Sequence, residues 1–327
     1  MKTTDKEKIS AWAKNQPHGQ TIFVSHTHHR EQEHFNAFAR ELSRLAPCIT
    51  VQPSDKKASL PGIFVTDNIL LSALPLEKEL PPFLEALSCL AGSWPVLAQE
   101  TQTMLDHLDH QSRLTLFIAM QCPHCPDMVR TLVPLAARSK KIFLHIIDGS
   151  LFPETAREHH VMSAPCLILD QDFRWTGHAD PEEIVAMMLR PDPSQLGSKT
   201  LKHILEQGDA QWISRHMIEA GTLFDGFIAL LLDSTWSVRL GAMVVVEILA
   251  NEAPDLAAQL APVLIHAFAD KEIPVQGDML YALGEVGTSE TKIWIQKILP
   301  GLVHPDLVEA ARDALAAIDE KLSDHPA

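Results

Sequence analysis

The residues with the clearest chemistry are Cys122 and Cys125, which stand in the sequence Cys-Pro-His-Cys. They follow an apolar run over residues 114–120 and precede a helical pattern over 127–137. At a strand-to-helix turn, the free N–H groups and the positive end of the helix dipole stabilise a thiolate, so the exposed Cys122 is predicted to be the nucleophile. Cys125, one turn further in, is predicted to be the resolving thiol of a pair that cycles between dithiol and disulfide.

The two residues between the cysteines suit this role. Pro123 fits the first helical position, where its missing N–H is no loss. His124 supplies a cationic neighbour that would further favour the thiolate. The spacing alone is weak evidence in a chain with five cysteines, and half of a zinc site is an alternative. Zinc needs four ligands, and no second Cys-x-x-Cys or His-x-x-x-His accompanies this pair, so the surrounding elements must decide.

The elements after the dithiol follow a regular order. A proline that heads a strand cannot donate to a ladder, and X-Pro bonds are the ones that can be cis, so we expect a tight turn at Pro165 that faces the dithiol. The hydrophobic pattern predicts strands over 114–120, 141–147, 163–169 and 173–175, and helices over 127–137, 153–160 and 181–189.

From about residue 114 to 190, this order resembles the thioredoxin fold. The resemblance implies that Pro165 is a cis-proline packed against the disulfide, where it helps to bind an extended substrate strand and keeps metal away from the thiols. It also implies that Ala164, the residue before this proline, modulates the site.

The resemblance can be narrowed to one family. Three segments resemble the second thioredoxin unit in the N-terminal domain of the alkyl hydroperoxide reductase flavoprotein subunit. They are Cys-Pro-His-Cys-Pro-Asp-Met-Val-Arg, Ile-Asp-Gly-Ser-Leu-Phe at 147–152 and Val-Met-Ser-Ala-Pro at 161–165. That domain contains two fused thioredoxin units, and only the second keeps the dithiol. The resemblance implies that this chain also has two such units.

The first half of the chain fits the same plan. Strands are predicted over 21–25, 49–52 and 60–65, and helices over 2–14, 31–45, 76–90 and 99–110. Where the first unit would carry its cysteines, the sequence has Ser25-His26-Thr27-His28-His29. The first unit is therefore expected to have lost its redox pair.

One feature of the family remains in the first unit. The run over residues 75–80 resembles the point where the flavoprotein's first unit projects a glutamate towards the dithiol of the second, and Glu79 is the matching position. A carboxylate there would disfavour the thiolate or accept its proton. A solvated glutamate at a helix start is the alternative.

No Gly-x-Gly-x-x-Gly occurs in the sequence, and the flavin and nicotinamide domains of that flavoprotein are absent from it. We therefore expect no bound cofactor, and electrons from an external dithiol or flavoprotein reductase.

Beyond residue 195 the pattern is helical throughout. A repeat relates the segments that contain Val238, Val275 and Val308, spaced by 37 and 33 residues, and an Asp turn followed by Val at the start of a second helix is typical of HEAT-like repeats. The predicted fold class is α/β plus all-α: two tandem thioredoxin-like units followed by a helical HEAT-like repeat solenoid. The predicted domains are a degenerate unit over 1–108, a redox-active unit over 109–192 and helical repeats over 195–327.

Charge restricts the partners. Residues 195–327 carry 9 Lys and Arg against 19 Asp and Glu, and an acidic surface repels phosphate, so a protein partner is favoured over nucleic acid. A solenoid that only buttresses the redox part is the alternative. The stretch 2–14 has no apolar run of the length of a signal peptide or membrane anchor, so no membrane association and a cytoplasmic location are expected.

The other cysteines and the histidines have less specific interpretations. Cys48 and Cys89 lie in apolar runs and are predicted to be buried structural thiols. Cys166 follows the proline that should face Cys122, but strand alternation is expected to turn its side chain inward. A polar loop is favoured over a metal site for the histidine cluster His26, His28, His29 and His34.

These observations predict a cytosolic thiol–disulfide oxidoreductase that reduces the disulfides of a client protein or a peroxidase-type protein. A non-catalytic, redox-sensitive adaptor is the alternative from another class. A disulfide oxidase or isomerase also stays open, because the Pro-His pair resembles that of the strongly oxidising periplasmic disulfide oxidase. The reducing poise of the cytosol and the Glu79 position favour reduction.

Overall fold

The computed structural model describes residues 1–16, 19–90, 97–170 and 173–324. The chain divides into two compact units, Met1–Pro191 and Asp192–Ala327. The first unit is built from strands and helices, and the second is helical. The candidate catalytic residues all belong to the first unit.

The strands of the first unit form one sheet. They are β1 (Gln20–Val24), β2 (Ile49–Pro53), β3 (Ile63–Thr66), β4 (Ile69–Ser72), β5 (Ser112–Ile118), β6 (Ile142–Asp148), β7 (Cys166–Leu169) and β8 (Phe173–Thr176). Within the described residues their order is β2-β1-β3-β4-β6-β5-β7-β8. Each half of the sheet thus contains one parallel pair followed by two antiparallel pairs, in the same spatial order.

The two halves are joined through β4 and β6. These strands pair in parallel over four residues, from Ile69 opposite Leu144 to Ser72 opposite Ile147. All four residues of β4 are buried, as expected for a strand at the centre of a sheet covered on both faces. The two halves therefore share one continuous hydrogen-bonded core.

Helices cover this sheet. They are α1 (Thr3–Ala13), α2 (Gln32–Leu45), α3 (Leu80–Leu90), α4 (Gln99–His107), α5 (Cys125–Arg138), α6 (Pro153–Glu158) and α7 (Pro181–Leu189). In α2, Phe35, Phe38, Ala39 and Leu42 are buried, which is the spacing of one apolar helix face. The helix that begins with Cys125 likewise buries a face, with Met128, Val129 and Leu132 among its buried side chains.

The structure corrects three local predictions. The strand predicted over 60–65 begins at Ile63, and a second strand, β4, follows it and was not predicted. The turn between them is short, and a four-residue apolar run after it carries too little periodicity to be distinguished from the start of a helix. Cys48 is half-buried and not fully buried as predicted, because it lies in the tight connection between α2 and β2, whereas Cys89 is buried.

The second unit consists of helices connected by short turns. They are α8 (Ser198–Glu206), α9 (Ala210–Ala220), α10 (Asp225–Leu231), α11 (Trp236–Glu252), α12 (Pro254–Ala257), α13 (Leu260–Ala267), α14 (Ile273–Val286), α15 (Ser289–Ile298) and α16 (Pro305–Asp324). None of the helices in the described ranges of the chain is both long and apolar enough to cross a membrane.

A buried arginine connects two of these helices. Arg239 of α11 is 2% exposed, and its Nε donates to Oδ2 of Asp278 in α14 at 2.6 Å. Its Nη1 donates to the carbonyl oxygens of Asp233 and Ser234. A buried cation is tolerated only when it is paired and hydrogen-bonded, so these contacts fix α11 beside α14.

The repeated valines differ in burial. Val238 and Val275 are buried. Val308 is only half-buried, and its neighbour Leu307 takes the buried position. The third copy of the repeat is therefore shifted by one residue from the predicted register.

Candidate active site

The dithiol lies where β5 ends and α5 begins. The backbone N–H of Cys122 donates to the carbonyl of Ala119 at 2.9 Å, which closes the turn after the strand. The helix starts at Cys125, and His124 is its N-cap residue. Pro123 therefore lies before the helix and not at its first position as predicted, since residues 123 and 124 form a bend that brings Cys122 over the helix end.

The helix start is directed at the first sulfur. The backbone N–H of Cys125 donates to Sγ of Cys122 at 3.2 Å. The Cys122 thiol in turn donates to the carbonyl of Ala164 at 3.4 Å. An N–H group at a helix N-terminus has no partner within the helix. Its hydrogen bond and the helix dipole therefore stabilise negative charge on a sulfur that lies there.

The two thiols differ in accessibility. Cys122 is half-buried, Cys125 is completely buried, and both are free thiols in this structure. Burial raises the pKa of Cys125 above its ordinary value, and the neighbouring Cys122 and the charge of Glu79 raise it further. Cys125 is therefore protonated at neutral pH and needs a base before it can act as a nucleophile.

Glu79 is a buried carboxyl group whose charge acts on the Cys125 thiol. It precedes α3 and is 4% exposed, and its Oε1 is buried without a hydrogen-bond partner among the described residues. Burial, followed by the repulsion of Asp148, raises the pKa of Glu79 from 4.5 to about 7, against an opposing effect of Arg130. The interpretation of Glu79 as a solvated surface residue is wrong, because the side chain is enclosed.

Asp148 is a second buried carboxyl group at this site, and it was not predicted from the sequence. It ends β6, directly opposite Ile118 at the end of β5, and is 4% exposed. Its Oδ1 accepts the backbone N–H groups of Ser150 and Leu151, while burial raises its pKa. The sequence could have indicated this residue, because parallel neighbouring strands end at the same edge of a sheet. The Asp of Ile-Asp-Gly therefore lies beside the dithiol turn.

A lysine and an arginine side chain hold the neighbourhood of Glu79 in place. Lys78 donates through Nζ to the carbonyl of Gln121 at 3.1 Å, which ties the segment that carries Glu79 to the dithiol turn. Arg130 of α5 forms two hydrogen bonds with the carboxylate of Glu85 in α3, at 2.6 and 3.1 Å. The charge of Arg130 is thus engaged with Glu85, and Glu79 keeps its elevated pKa.

Pro165 closes the other side of the site. The Ala164–Pro165 peptide bond is cis, and Pro165 is buried at the head of β7. The turn brings the Ala164 carbonyl within reach of the Cys122 thiol, as described above. Cys166, the next residue, is 2% exposed in the sheet opposite Phe117, and burial raises the pKa of its thiol.

The corresponding loop of the first half is closed by a polar side chain. Gln32 accepts the backbone N–H of Thr27 at 2.9 Å and donates to the carbonyl of Ser25 at 2.7 Å. The rings of His26 and His28 lie 6.2 Å apart, His29 packs on Phe152, and His34 contacts Glu31. Across the described ranges, no three His, Cys, Asp or Glu side chains are grouped so that they could hold a metal ion.

The fold of the first unit is thioredoxin-like. Residues 113–189, which contain the dithiol and Pro165, match the family model of the thioredoxin domain. Two solved structures support the assignment of the fold. The N-terminal domain of alkyl hydroperoxide reductase AhpF from Enterococcus faecalis superposes with a TM-score of 0.51 at 18% identity, covering 57% of this chain and 99% of that one. A protein disulfide oxidoreductase from Aeropyrum pernix gives 0.52 at 14% identity, covering 58% and 93%.

The curated relatives are larger proteins. A protein named NADH dehydrogenase from Ferdinandcohnia aciditolerans is 24% identical over 224 residues, which cover 64% of this chain and 43% of the relative. The F subunit of alkyl hydroperoxide reductase from Xanthomonas campestris pv. phaseoli is 24% identical over 204 residues, covering 59% and 38%. The chain thus spans less than half the length of these two relatives.

Proposed function

We propose that this protein is a thiol–disulfide oxidoreductase that reduces disulfides of client proteins, with Cys122 as the attacking and Cys125 as the resolving thiol. The observation that carries the proposal is the hydrogen bond from the Cys125 N–H to Sγ of Cys122, which places the accessible sulfur at a helix start. The difference in burial between the two cysteines gives the order of attack, since only Cys122 can reach a protein substrate.

The reaction then has two steps. The Cys122 thiolate attacks one sulfur of the client disulfide, forming a mixed disulfide and releasing the other client sulfur as a thiolate. Cys125 loses its proton and attacks the Cys122 sulfur, which forms the Cys122–Cys125 disulfide and releases the second client sulfur. Two electrons pass from the dithiol to the client.

Glu79 is proposed to take the proton of Cys125. With a pKa of about 7, its carboxylate is populated at neutral pH and is still basic enough to accept a proton. Its buried Oε1 has no competing hydrogen bond within the described structure. The role of Glu79 belongs to the second step, because Cys125 is the buried thiol with the raised pKa.

The surface beside Cys122 suits a protein substrate. Pro123 and His124 are exposed, and Met162, three residues before Pro165, is 90% exposed. An exposed methionine adapts its shape to different partners. We propose that an extended client segment lies along Ala164 and Pro165 while its disulfide meets Cys122.

Cys125→Ser should trap the client as a mixed disulfide through Cys122, because the first step proceeds and the resolving thiol is absent. Insulin is a suitable substrate, and the mixed disulfide is measured by mass spectrometry under non-reducing conditions. Cys48→Ser, at a half-buried cysteine in the turn before β2, is the matched control and should trap nothing. If Cys125→Ser yields no covalent adduct while wild type reduces insulin, the order of attack is wrong.

The direction of electron flow is tested by the reduction potential of the Cys122/Cys125 pair. A value near that of thioredoxin, about −270 mV, supports reduction of clients, and one near about −120 mV reverses the assignment to an oxidase. Equilibration with glutathione or dithiothreitol buffers, followed by quantification of the two redox forms, gives this value.

The electrons are proposed to come from outside the protein. An external dithiol or flavoprotein reductase would reduce the Cys122–Cys125 disulfide after each turnover. The similarity to the F subunit of alkyl hydroperoxide reductase supports the inclusion of a peroxidase-type protein among the clients. A reducing compartment such as the cytoplasm is the proposed location.

The second unit is proposed to be a HEAT-like module that docks the client. Its helices carry a 37-residue repeat around the buried Val238 and Val275, and repeat arrays typically present an extended binding surface. Its excess of acidic residues favours a protein partner over nucleic acid.

A further inference from the structure

In the second unit, each of two neighbouring helices exposes a row of large apolar side chains. On α11 these are Trp236, Leu240 and Val244, which are 62%, 44% and 41% exposed, and on α14 they are Ile273 and Tyr281, 42% and 44% exposed. We call these five side chains the apolar patch. They make up half of the ten large apolar side chains exposed in the described part of the chain, and contiguous patches of this kind mark interaction sites.

The patch follows the internal repeat. Residues 236, 240 and 244 recur after 37 positions as 273, 277 and 281, and the first and last of these positions carry exposed apolar side chains in both copies. The residue equivalent to Leu240 is Gly277, where an added Cβ would have no atom within 4 Å. The row of side chains on α14 therefore has a gap at Gly277, between Ile273 and Tyr281, which we call the notch.

Contacts between the helices place the two rows side by side. Besides the Arg239–Asp278 pair, the Tyr281 hydroxyl donates to Oε1 of Glu247 in α11 at 2.7 Å. Residues at i, i+4 and i+8 on each helix form ridges, and two adjacent ridges leave a groove between them. From residue 236 to 244 the groove is about 12 Å long, which matches two turns of a helix.

The border of the patch is negatively charged. Glu247 accepts the Tyr281 hydroxyl, and this hydrogen bond, followed by burial and the charges of Glu247 and Glu285, raises the pKa of Tyr281 to about 12, so both carboxylates lie close to the patch. Glu247 forms no ion pair among the described residues, whereas the cations nearby are engaged: Arg239 with Asp278 and Lys321 with Glu285. An apolar surface with an acidic rim complements an apolar surface with a basic rim.

We propose that the apolar patch binds an amphipathic helix of a partner protein, with one aliphatic side chain in the notch at Gly277 and Lys or Arg along its flanks. This inference deepens the docking role proposed above and rests on it. A helix is favoured because the groove lies between two helical ridges, and helix-in-groove recognition uses residues at i, i+3, i+4 and i+7 as anchors.

The probe is a fluorescent 14-residue Leu/Lys peptide designed as an amphipathic helix, titrated against the full-length protein by anisotropy. Two control peptides carry Glu in place of Lys, or the same Leu and Lys in a scrambled order without an apolar face. The helical Leu/Lys peptide should bind, and its affinity should fall as salt rises. Equal binding of either control peptide would overturn the proposal.

Variants of the protein locate the site. Leu240→Lys should weaken binding about tenfold or more by placing a charge in the patch, which corresponds to about 1.4 kcal/mol. Gly277→Leu should weaken binding to a similar extent by filling the notch. The variant should fold, because the space around Gly277 is open and leucine is a better helix former than glycine. Ile293→Lys, at a 65% exposed position on α15, is the control and should leave binding unchanged.

Other outcomes reject the inference. Unchanged affinity in Gly277→Leu would show that the notch is not used. A wild-type dimer in sedimentation analysis that Leu240→Lys dissociates would assign the patch to a second copy of this chain. Insulin reduction is measured on the wild-type sample in parallel: peptide binding without reduction rejects the redox function alone, and reduction without peptide binding rejects the docking inference alone.

Discussion

Replacing Cys122 by serine should reduce the rate of insulin reduction on the order of 10³-fold or more, to the rate of the reductant alone. Serine keeps the shape of the side chain, but its hydroxyl is not ionised at neutral pH and cannot attack a disulfide. The backbone N–H of Cys125 would then point at an atom without nucleophilic character. The measurement is insulin precipitation with dithiothreitol as the electron donor.

The Cys48→Ser protein is the control for this experiment and should keep the wild-type rate, since Cys48 lies in the turn between α2 and β2. Equal rates for wild type and Cys122→Ser would reject the enzyme and leave the redox-sensitive adaptor as the better account. A partial loss of less than tenfold would indicate that another thiol, such as the buried Cys166, substitutes for Cys122.

Glu79→Gln should slow the second step of the reaction by about 10²-fold, the typical contribution of a general base. In the wild type, the carboxylate form of Glu79 increases as the pH rises through about 7, so the rate of resolution should rise over the same range. In Glu79→Gln this inflection should disappear. Stopped-flow measurement of mixed-disulfide decay between pH 5.5 and 8.5 checks both points.

The same variant should be more stable than the wild type at alkaline pH. The pKa of Glu79 is about 7 when the protein is folded and near 4.5 when it is unfolded, so the folded state holds the proton more tightly. The contribution of Glu79 to the wild-type free energy of unfolding is therefore greatest below pH 4.5, and it falls as the pH rises from 4.5 to about 7. At pH 8, Glu79→Gln should exceed the wild type by on the order of 3 kcal/mol.

Glu77→Gln is the matched control for Glu79→Gln. Glu77 lies two residues earlier and pairs with Lys2 at the surface, where solvent screens the interaction and makes its contribution to stability small. Its replacement should change neither the pH profile of resolution nor the stability at pH 8 appreciably. If Glu79→Gln is slower without any gain in stability, its effect comes from altered packing and not from removal of a buried charge.

The sequence was most informative where chemistry and periodicity coincide. The helix predicted over 181–189 has the bounds of α7, and the apolar run before the dithiol is the strand β5. The strand β4 was missed because its identity depends on pairing with β6, far along the chain. The periodic pattern cannot contain that information.

The same distinction applies to the site. The position of Cys122 before a helix follows from local spacing, whereas the burial of Glu79 depends on how α3 and α5 pack, and only the resemblance to a known family pointed to it. Asp148 was overlooked because an aspartate at a strand end is usually a turn residue. Here it is also enclosed, and its effect on Glu79 arises only in the folded sheet.

The pairing of β4 with β6 also bears on solubility. Without the first half, β6 would present a free row of N–H and C=O groups, which is a template for pairing with other chains and hence for aggregation. The half of the sheet that lacks a dithiol thus protects the flank of the half that carries it. The first half carries no Cys-x-x-Cys, yet its strand β4 covers the edge of β6 that would otherwise be open to other chains.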